Sequence, residues 1–293
     1  MVTMKTDTGA RPALASGTFR IGGDMSVVRM GFGAMRITGP GIWGEPRDRN
    51  EAVKVLRRAL ELGVNFIDTA DSYGPYVSEE LIKAALHPYP KDLVIATKAG
   101  KVRTGPGEWF EVGRPEYLRQ EVEMSLRRLG QERIDLFQLH SIDVHVPLAD
   151  QVGAALDMQT HGKVRHIGLS NVTVDQIKEA RKIAKIVSVQ NRYNLADRES
   201  EAVLEYCEKE GLAFIPWSPV ARGTLTENDG ALAKVAQELE ATPTQVALAW
   251  LLRRSPVMLP IPGTASLAHL EENVAAAGYQ LTDAQFSALA EAA

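Results

Sequence analysis

The 293-residue sequence contains a single cysteine, Cys207, which excludes an internal disulfide and any cysteine-rich zinc site. Neither sign of charge is in excess. Its 33 basic and 37 acidic residues leave a formal net charge of -4, without the basic surplus usual in a nucleic-acid binder. No apolar run approaches the roughly 18 residues that a membrane-spanning helix needs. The first thirty residues have no continuous apolar stretch that would serve as a signal-peptide core. What remains is ordinary: 45% hydrophobic, 24% charged, and enough length to bury a sizeable core. The expectation is a soluble protein of a reducing cytoplasm, with neither nucleic acid nor membrane as partner.

The chain is patterned throughout. Residues 1–15, rich in Thr, Gly, Pro and Ala, read as a flexible leader to a single domain over 16–293. TFRIG and MSVVRM around Gly23-Asp24 predict a short hairpin. Short apolar strands then alternate with amphipathic segments. Strands are expected at 30–35, 65–70, 93–99, 134–140, 164–170, 186–191, 213–218 and 257–262. Helical periodicity marks 51–62, 78–86, 115–129, 147–160, 174–184, 199–210 and 267–277. Two further helices, 231–240 and 243–254, fit between the last two strands, the second opened by Thr242-Pro243, and 282–292 closes the chain. Eight near-continuous apolar strands, each followed by a helix, predict an α/β fold of the (β/α)8 TIM-barrel type. The competing doubly wound sheet would carry G-x-G-x-x-G after its first strand, and the nearest match, GFGAMR (31–36), lies inside a strand and ends in Arg36.

In a barrel, chemistry collects where strands end. Here those ends carry Asp68, Lys98, His140, Ser170-Asn171, Gln190-Asn191 and Trp217-Ser218, with Tyr73 in the loop after Asp68. Taken singly, each has a bland reading: a structural histidine, a turn-capping aspartate, a surface lysine, a packed tyrosine. The conjunction is more informative, because adjacent strands two, three and four bring Asp68, Lys98 and His140 to one place. An ammonium beside a tyrosine favours the phenolate, and a carboxylate behind the lysine keeps it charged. Such a tyrosine exchanges a proton with a carbonyl or alcohol oxygen, while an imidazole orients that oxygen. The set lacks a nucleophile and a metal site. It suits addition of hydride to a carbonyl.

The phrases GFGAMR, NFIDTADSYG, LVIATKAG, RIDLFQLH, VRHIGLSN, VQNRYN, WSPVARG and IPGTASLAHLEEN resemble, in order, the successive motifs of the aldo-keto reductases. That resemblance implies a (β/α)8 barrel holding a nicotinamide cofactor, usually NADPH and alternatively NADH, without a Rossmann motif. It implies a catalytic set of Asp68, Tyr73, Lys98 and His140. Cofactor contacts implied in the same way are Ala34, Met35 and Asp68, the carboxamide partners Ser170, Asn171 and Gln190, and Trp217 stacked on the nicotinamide. Ser218, Val220 and Arg222 correspond to the pyrophosphate loop. Gly263, Thr264, Ser266, His269, Glu272 and Asn273 correspond to the adenosine end. Where many members carry a lysine and an arginine for the 2′-phosphate, this chain has Gly263 and His269.

The loop GPGIWGEPRDRNEA (39–52) resembles the bacterial pyridoxal reductase-like branch of the family. Substrate walls are expected from Trp43, Tyr76, Trp109 and Phe110 on the same rim. The expected activity is NADPH-dependent reduction of an aldehyde or ketone, a pyridoxal-like carbonyl among the candidates. A Schiff-base aldolase on Lys98 and a nicotinamide-binding regulatory subunit with little turnover are the alternatives.

Overall fold

The computed structural model describes residues 11–220 and 230–292. Its centre is a parallel sheet of seven strands among those residues: β3 (Phe32–Gly33), β4 (Phe66–Asp68), β5 (Val94–Ala99), β8 (Ile134–Leu139), β9 (Val164–Ser170), β10 (Ile186–Gln190) and β11 (Ala213–Phe214). Their spatial order follows their order in the chain. Between them lie α1 (Arg49–Glu61), α2 (Val77–Leu86), α3 (Pro115–Leu129), α4 (Leu148–Thr160), α5 (Val174–Arg181) and α6 (Glu201–Glu210). A further series, α7 (Gly230–Glu238), α8 (Pro243–Arg254), α9 (Leu267–Ala275) and α10 (Asp283–Ala292), follows β11. No helix among the described residues is long and apolar enough to cross a membrane.

Local chemistry explains the helix ends. Thr242 caps α8 by accepting from the Gln245 backbone, Gln245 returns the bond, and Pro243 fills the first helical position. Pro115 opens α3, and Gly130 closes it at φ 69°, where a side chain would be strained.

Three of the expected strands differ, among them the seventh, expected over 213–218 and found only over Ala213–Phe214. The first is only Phe32–Gly33, after which Ala34–Ile37 turns as a 3-10 helix; periodicity over so short an apolar run does not separate the two. The eighth is a single bridge, Phe214 to Met258, not a ladder. Pro260 and Pro262 remove backbone donors there. The segment nevertheless bonds to both sheet edges: Phe214 N donates to Val257 O (2.9 Å), Leu259 N to Phe214 O (2.8 Å), and Gly31 N to Pro260 O (2.9 Å). Of the expected leader, residues 1–10 lie outside the described residues. Pro12–Ser16 is a 3-10 turn with Ala13 buried, so ordered chain begins before position 16.

The strands β1 (Thr18–Ile21) and β2 (Met25–Val28) pair antiparallel and supply Ile21, Met25 and Val27 to an inner apolar cluster. Phe66, Val94, Ala96, Leu136, Val187, Ala213, Leu259 and Ile261 belong to the same cluster. The helices pack on the opposite face of the sheet in a second, larger cluster. Because successive strand side chains alternate faces, the inner series continues upward as Phe66 then Asp68, Ala96 then Lys98, and Leu136 then Gln138. Along each of these strands the core thus changes from hydrocarbon to polar groups.

Candidate active site

Strand register fixes the floor of the site. Lys98 pairs with Gln138 across β5 and β8, and Asp68 pairs with Ala96 across β4 and β5. The Lys98 Nζ, fully buried, donates to Asp68 Oδ1 (2.5 Å), to the Thr69 carbonyl (2.8 Å) and to the Tyr73 hydroxyl (3.3 Å). These are three partners for three protons. The other Asp68 oxygen accepts from Gln138 Nε2 (3.0 Å) and Gln190 Nε2 (2.8 Å). Tyr73, His140 and Trp109 meet edge to face, with Tyr73 to His140 centroids 5.8 Å apart and Trp109 6.3 and 6.1 Å from the two. The Ser72 hydroxyl lies 3.2 Å from His140 Nδ1.

The electrostatics follow from this burial. Burial pushes the Tyr73 hydroxyl above its ordinary value; Lys98 pulls it back and Asp68 opposes, so the net direction is up. The expectation of a depressed tyrosine therefore needs correction, since desolvation outweighs the ammonium. Burial also disfavours the Lys98 charge, but Asp68 and Tyr73 outweigh it and Lys98 ends above its ordinary value. His140 is held well below its ordinary value by burial, then by Lys98, Lys101 and Arg103. The set at neutral pH is a protonated tyrosine, an ammonium and a neutral imidazole.

Above this floor opens a cleft of about 650 Å3. Asp68, Tyr73 and His140 line one end, with Ser170, Asn171, Gln190, Trp217, Ser218 and Val220 beside them. Gly263, Thr264, His269, Glu272 and Asn273 line the other. Ser170 Oγ donates to the Gln190 carbonyl (2.8 Å), and Asn171 Nδ2 to the His140 carbonyl (2.9 Å). Trp217 Nε1 donates to Asn171 Oδ1 (2.9 Å), which fixes the indole at the cleft wall. Met35 lines the cleft, whereas Ala34 is buried beneath it. Ser266 caps α9, accepting from the His269 backbone. Arg222 lies outside the described residues.

The substrate walls divide. Trp109 lines the cleft; Trp43, Tyr76 and Phe110 do not. Tyr76 takes a left-handed backbone (φ 71°) and sets its ring 4.1 Å from the Arg128 guanidinium. Phe110 sits on the short strand β7 (Phe110–Glu111), paired with β6 (Lys101–Val102), and is 52% exposed. The residue beside Trp43, Ile42, reaches the cleft instead. Arg103, stacked 3.7 Å from the Trp109 ring, bonds to the carbonyls of Gly41, Ile42 and Ser72, tying the wall to two loops.

Sequence reasoning missed Gln138, Ser72 and Arg103. Gln138 had a signal, since it stands two residues before His140 and strand alternation puts both on one face. The two loop residues carried none.

A nicotinamide cofactor fits the chemistry of this cleft. Its volume falls within the range of cofactor sites, and it joins a polar catalytic end to the N-terminus of a helix. At Gly263 a Cβ would stand 2.4 Å from the Gly33 carbonyl oxygen, so the backbone there stays bare and open to close approach.

A model of the aldo/keto reductase family matches residues 29–293. An uncharacterised oxidoreductase of Schizosaccharomyces pombe is 56% identical over 284 residues, covering 97% of this chain and 92% of that protein. The pyridoxine 4-dehydrogenase of Escherichia coli is 47% identical over 282 residues, covering 94% and 98%. A solved aldo-keto reductase of Klebsiella pneumoniae, in complex with NADPH, superposes with a TM-score of 0.81 at 26% identity, covering 94% of each chain.

Proposed function

This chain belongs to the aldo/keto reductase family and is an NAD(P)H-dependent oxidoreductase; we propose that it reduces an aldehyde or ketone with NADPH, reversibly, in a cytoplasmic (β/α)8 barrel. The observation that carries this reading is the buried chain from Gln138 and Gln190 to Asp68, Lys98 and the Tyr73 hydroxyl.

The chemistry that a bound reduced nicotinamide would supply in this cleft is hydride for the carbonyl carbon. The remaining work belongs to the protein. Tyr73 gives its proton to the carbonyl oxygen, a transfer for which a protonated phenol is the loaded form. Lys98, 3.3 Å away, stabilises the phenolate left behind. Asp68 holds Lys98 in place, and the two glutamine amides hold Asp68. His140, neutral, orients the same oxygen; a Ser72 hydroxyl donating to Nδ1 selects the tautomer with hydrogen on Nε2. Trp109 and Trp217 shield the reacting end from water.

Among the described residues, those that would hold the cofactor are Ser170, Asn171 and Gln190 for the carboxamide, Trp217 for the ring, Ser218 and Val220 for the pyrophosphate, and the stretch from Gly263 to Asn273 for the adenosine end.

The aldolase alternative is disfavoured by the same geometry. A Schiff base needs a free, neutral amine, and Lys98 is buried, engaged three times and raised in pKa. The regulatory alternative differs in turnover alone.

The substrate class follows the Escherichia coli relative: a pyridoxal-like aldehyde, or another small aromatic carbonyl between Trp109 and Trp217. A panel of carbonyls including pyridoxal, followed by nicotinamide absorbance with NADPH and NADH in parallel, tests the reading. Turnover of at least one aldehyde with NADPH is expected. Tight NADPH binding with no turnover across the panel would replace the reductase by the regulatory subunit.

A further inference from the structure

We propose that Arg36 supplies the cationic hold on a phosphate of bound NADPH that position 263 does not provide. The inference rests on the NADPH reading above and concerns a residue to which that reading gives no role.

The starting point is why position 263 is bare. Any larger residue there would set a Cβ 2.4 Å from the Gly33 carbonyl oxygen, a backbone atom that cannot swing aside. A lysine is barred there by the approach of β3. The side-chain atom nearest that Cβ position is Arg36 Cγ, at 3.7 Å, an ordinary van der Waals distance. The aliphatic stem of Arg36 therefore lies over Gly263, in the space that a side chain from 263 would enter. Arg36 reaches it from the 3-10 turn Ala34–Ile37, whose backbone is pinned by Ser78 Oγ on the Ala34 carbonyl (3.2 Å) and Thr38 Oγ1 on the Met35 carbonyl (2.9 Å).

Among the described residues the guanidinium itself is uncommitted: it makes no hydrogen bond and no ion pair with them. Arg103, on the same rim, spends its guanidinium on the carbonyls of Gly41, Ile42, Ser72, Gly105 and Glu108. Arg36 lines the cleft together with Gly263, Thr264 and His269. The one carboxylate at that end, Glu272, is already bonded to the Thr242 hydroxyl at 2.6 Å. A guanidinium stays charged at any physiological pH and matches phosphate oxygens with two parallel donors. A free, anchored one beside a bare backbone and a helix N-terminus is suited to a phosphate.

NADPH offers two such groups, the 2′-phosphate and the pyrophosphate, and NADH only the second. Dissociation constants for both cofactors, from quenching of tryptophan fluorescence, separate them in wild type, Arg36→Met and Arg36→Lys, with thermal unfolding of each variant as a check on folding. Arg36→Met keeps the stem and removes the charge, and should weaken NADPH about ten- to hundredfold, the value of a charge-assisted hydrogen bond. Arg36→Lys should fall between, and added salt should narrow the gap. If NADH is unaffected, the 2′-phosphate is the partner; if both cofactors weaken equally, the pyrophosphate is. Unchanged affinity for both in a folded Arg36→Met protein overturns the inference. So does a defect confined to the KM of an anionic carbonyl, since Arg36 also borders a second cavity of about 690 Å3 next to Trp109. A wild-type protein that binds neither cofactor would instead overturn the reading on which the inference rests.

Discussion

Replacing Lys98 by methionine keeps the stem of the side chain and deletes the charge between Asp68 and Tyr73. With an effective dielectric of about 20, a unit charge 3.3 Å from the Tyr73 oxygen interacts with a phenolate by about 5 kcal/mol. As a ceiling, that corresponds to between three and four powers of ten, roughly, in tyrosine acidity. The phenolate forms as the proton leaves, so most of this loss appears in the barrier to proton donation. Turnover in carbonyl reduction should fall by about 10²–10⁴-fold. The substitution also strands a buried carboxylate, which costs about 3–5 kcal/mol of stability. The double variant Lys98→Met/Asp68→Asn removes that penalty and separates fold from function: it should recover thermal stability without recovering turnover. The assay is NADPH consumption under single-turnover conditions, with the pH profile of alcohol oxidation beside it. That profile requires the phenolate and should move to higher pH without the ammonium. A folded Lys98→Met enzyme with turnover within about threefold of wild type and an unmoved profile would refute the reasoning.

Tyr73→Phe should lower turnover by about 10²–10⁴-fold while leaving NADPH affinity intact, measured by cofactor titration beside steady-state rates; near-normal rates in the folded variant would remove Tyr73 from the chemistry. His140 is held well below its ordinary value by burial, then by Lys98, Lys101 and Arg103. Reduction rates should therefore show no inflection near the usual imidazole pKa of about 6.5, and an inflection there that disappears in His140→Asn would contradict the assignment. Asp71 is buried, has an Oδ1 with no partner, and is raised well above its ordinary value by burial, then by Glu79 and Glu121. The folded state thus keeps a proton that the unfolded chain gives up above a pH of about 3.9, so ionisation of this group costs stability as pH rises. Asp71→Asn should match or exceed wild type in Tm near neutrality, and its advantage should not shrink as pH increases; a variant less stable than wild type across that range would show that the carboxyl serves the fold.

The legible part of the site is the part written along strands. Asp68, Lys98 and His140 announced themselves because alternation fixes which face a strand residue presents, and adjacent strands fix who stands beside whom. The helices were equally plain, down to Pro115, Gly130 and the Thr242 cap. Loops are different. Tyr76 and Trp43 sit at the correct rim in sequence, but a left-handed turn at Tyr76 sends its ring to Arg128, and Ile42 takes the cleft wall that Trp43 does not. No periodicity encodes such a choice. The eighth strand was an apolar run whose prolines limit it to a bridge, a signal present in the letters but overridden by hydropathy. The protonation of Tyr73 was unreadable for another reason. Its sign depends on burial against one ammonium, and burial is a property of the packed structure.

The cofactor end makes the same point in energetic terms. Read along the chain, Gly263 is a missing cation. Read in space, it is a consequence of β3 passing too close for any side chain, with the stem of Arg36 lying across the vacated path. The two ends of the cleft also differ in how their charges are met. At the catalytic end every ionic group already has protein partners: Lys98 with Asp68, Thr69 and Tyr73, and Asp68 with two glutamines. Such a network is preorganised, and nothing in it must move before a proton is transferred. At the other end a guanidinium stands without a protein partner among the described residues, beside a helix N-terminus with hydroxyl groups at Thr264 and Ser266. A charge left unpaired at a surface costs little while water solvates it, and it becomes valuable when an anion arrives. Chemistry is therefore built into the floor, and affinity is left open at the rim.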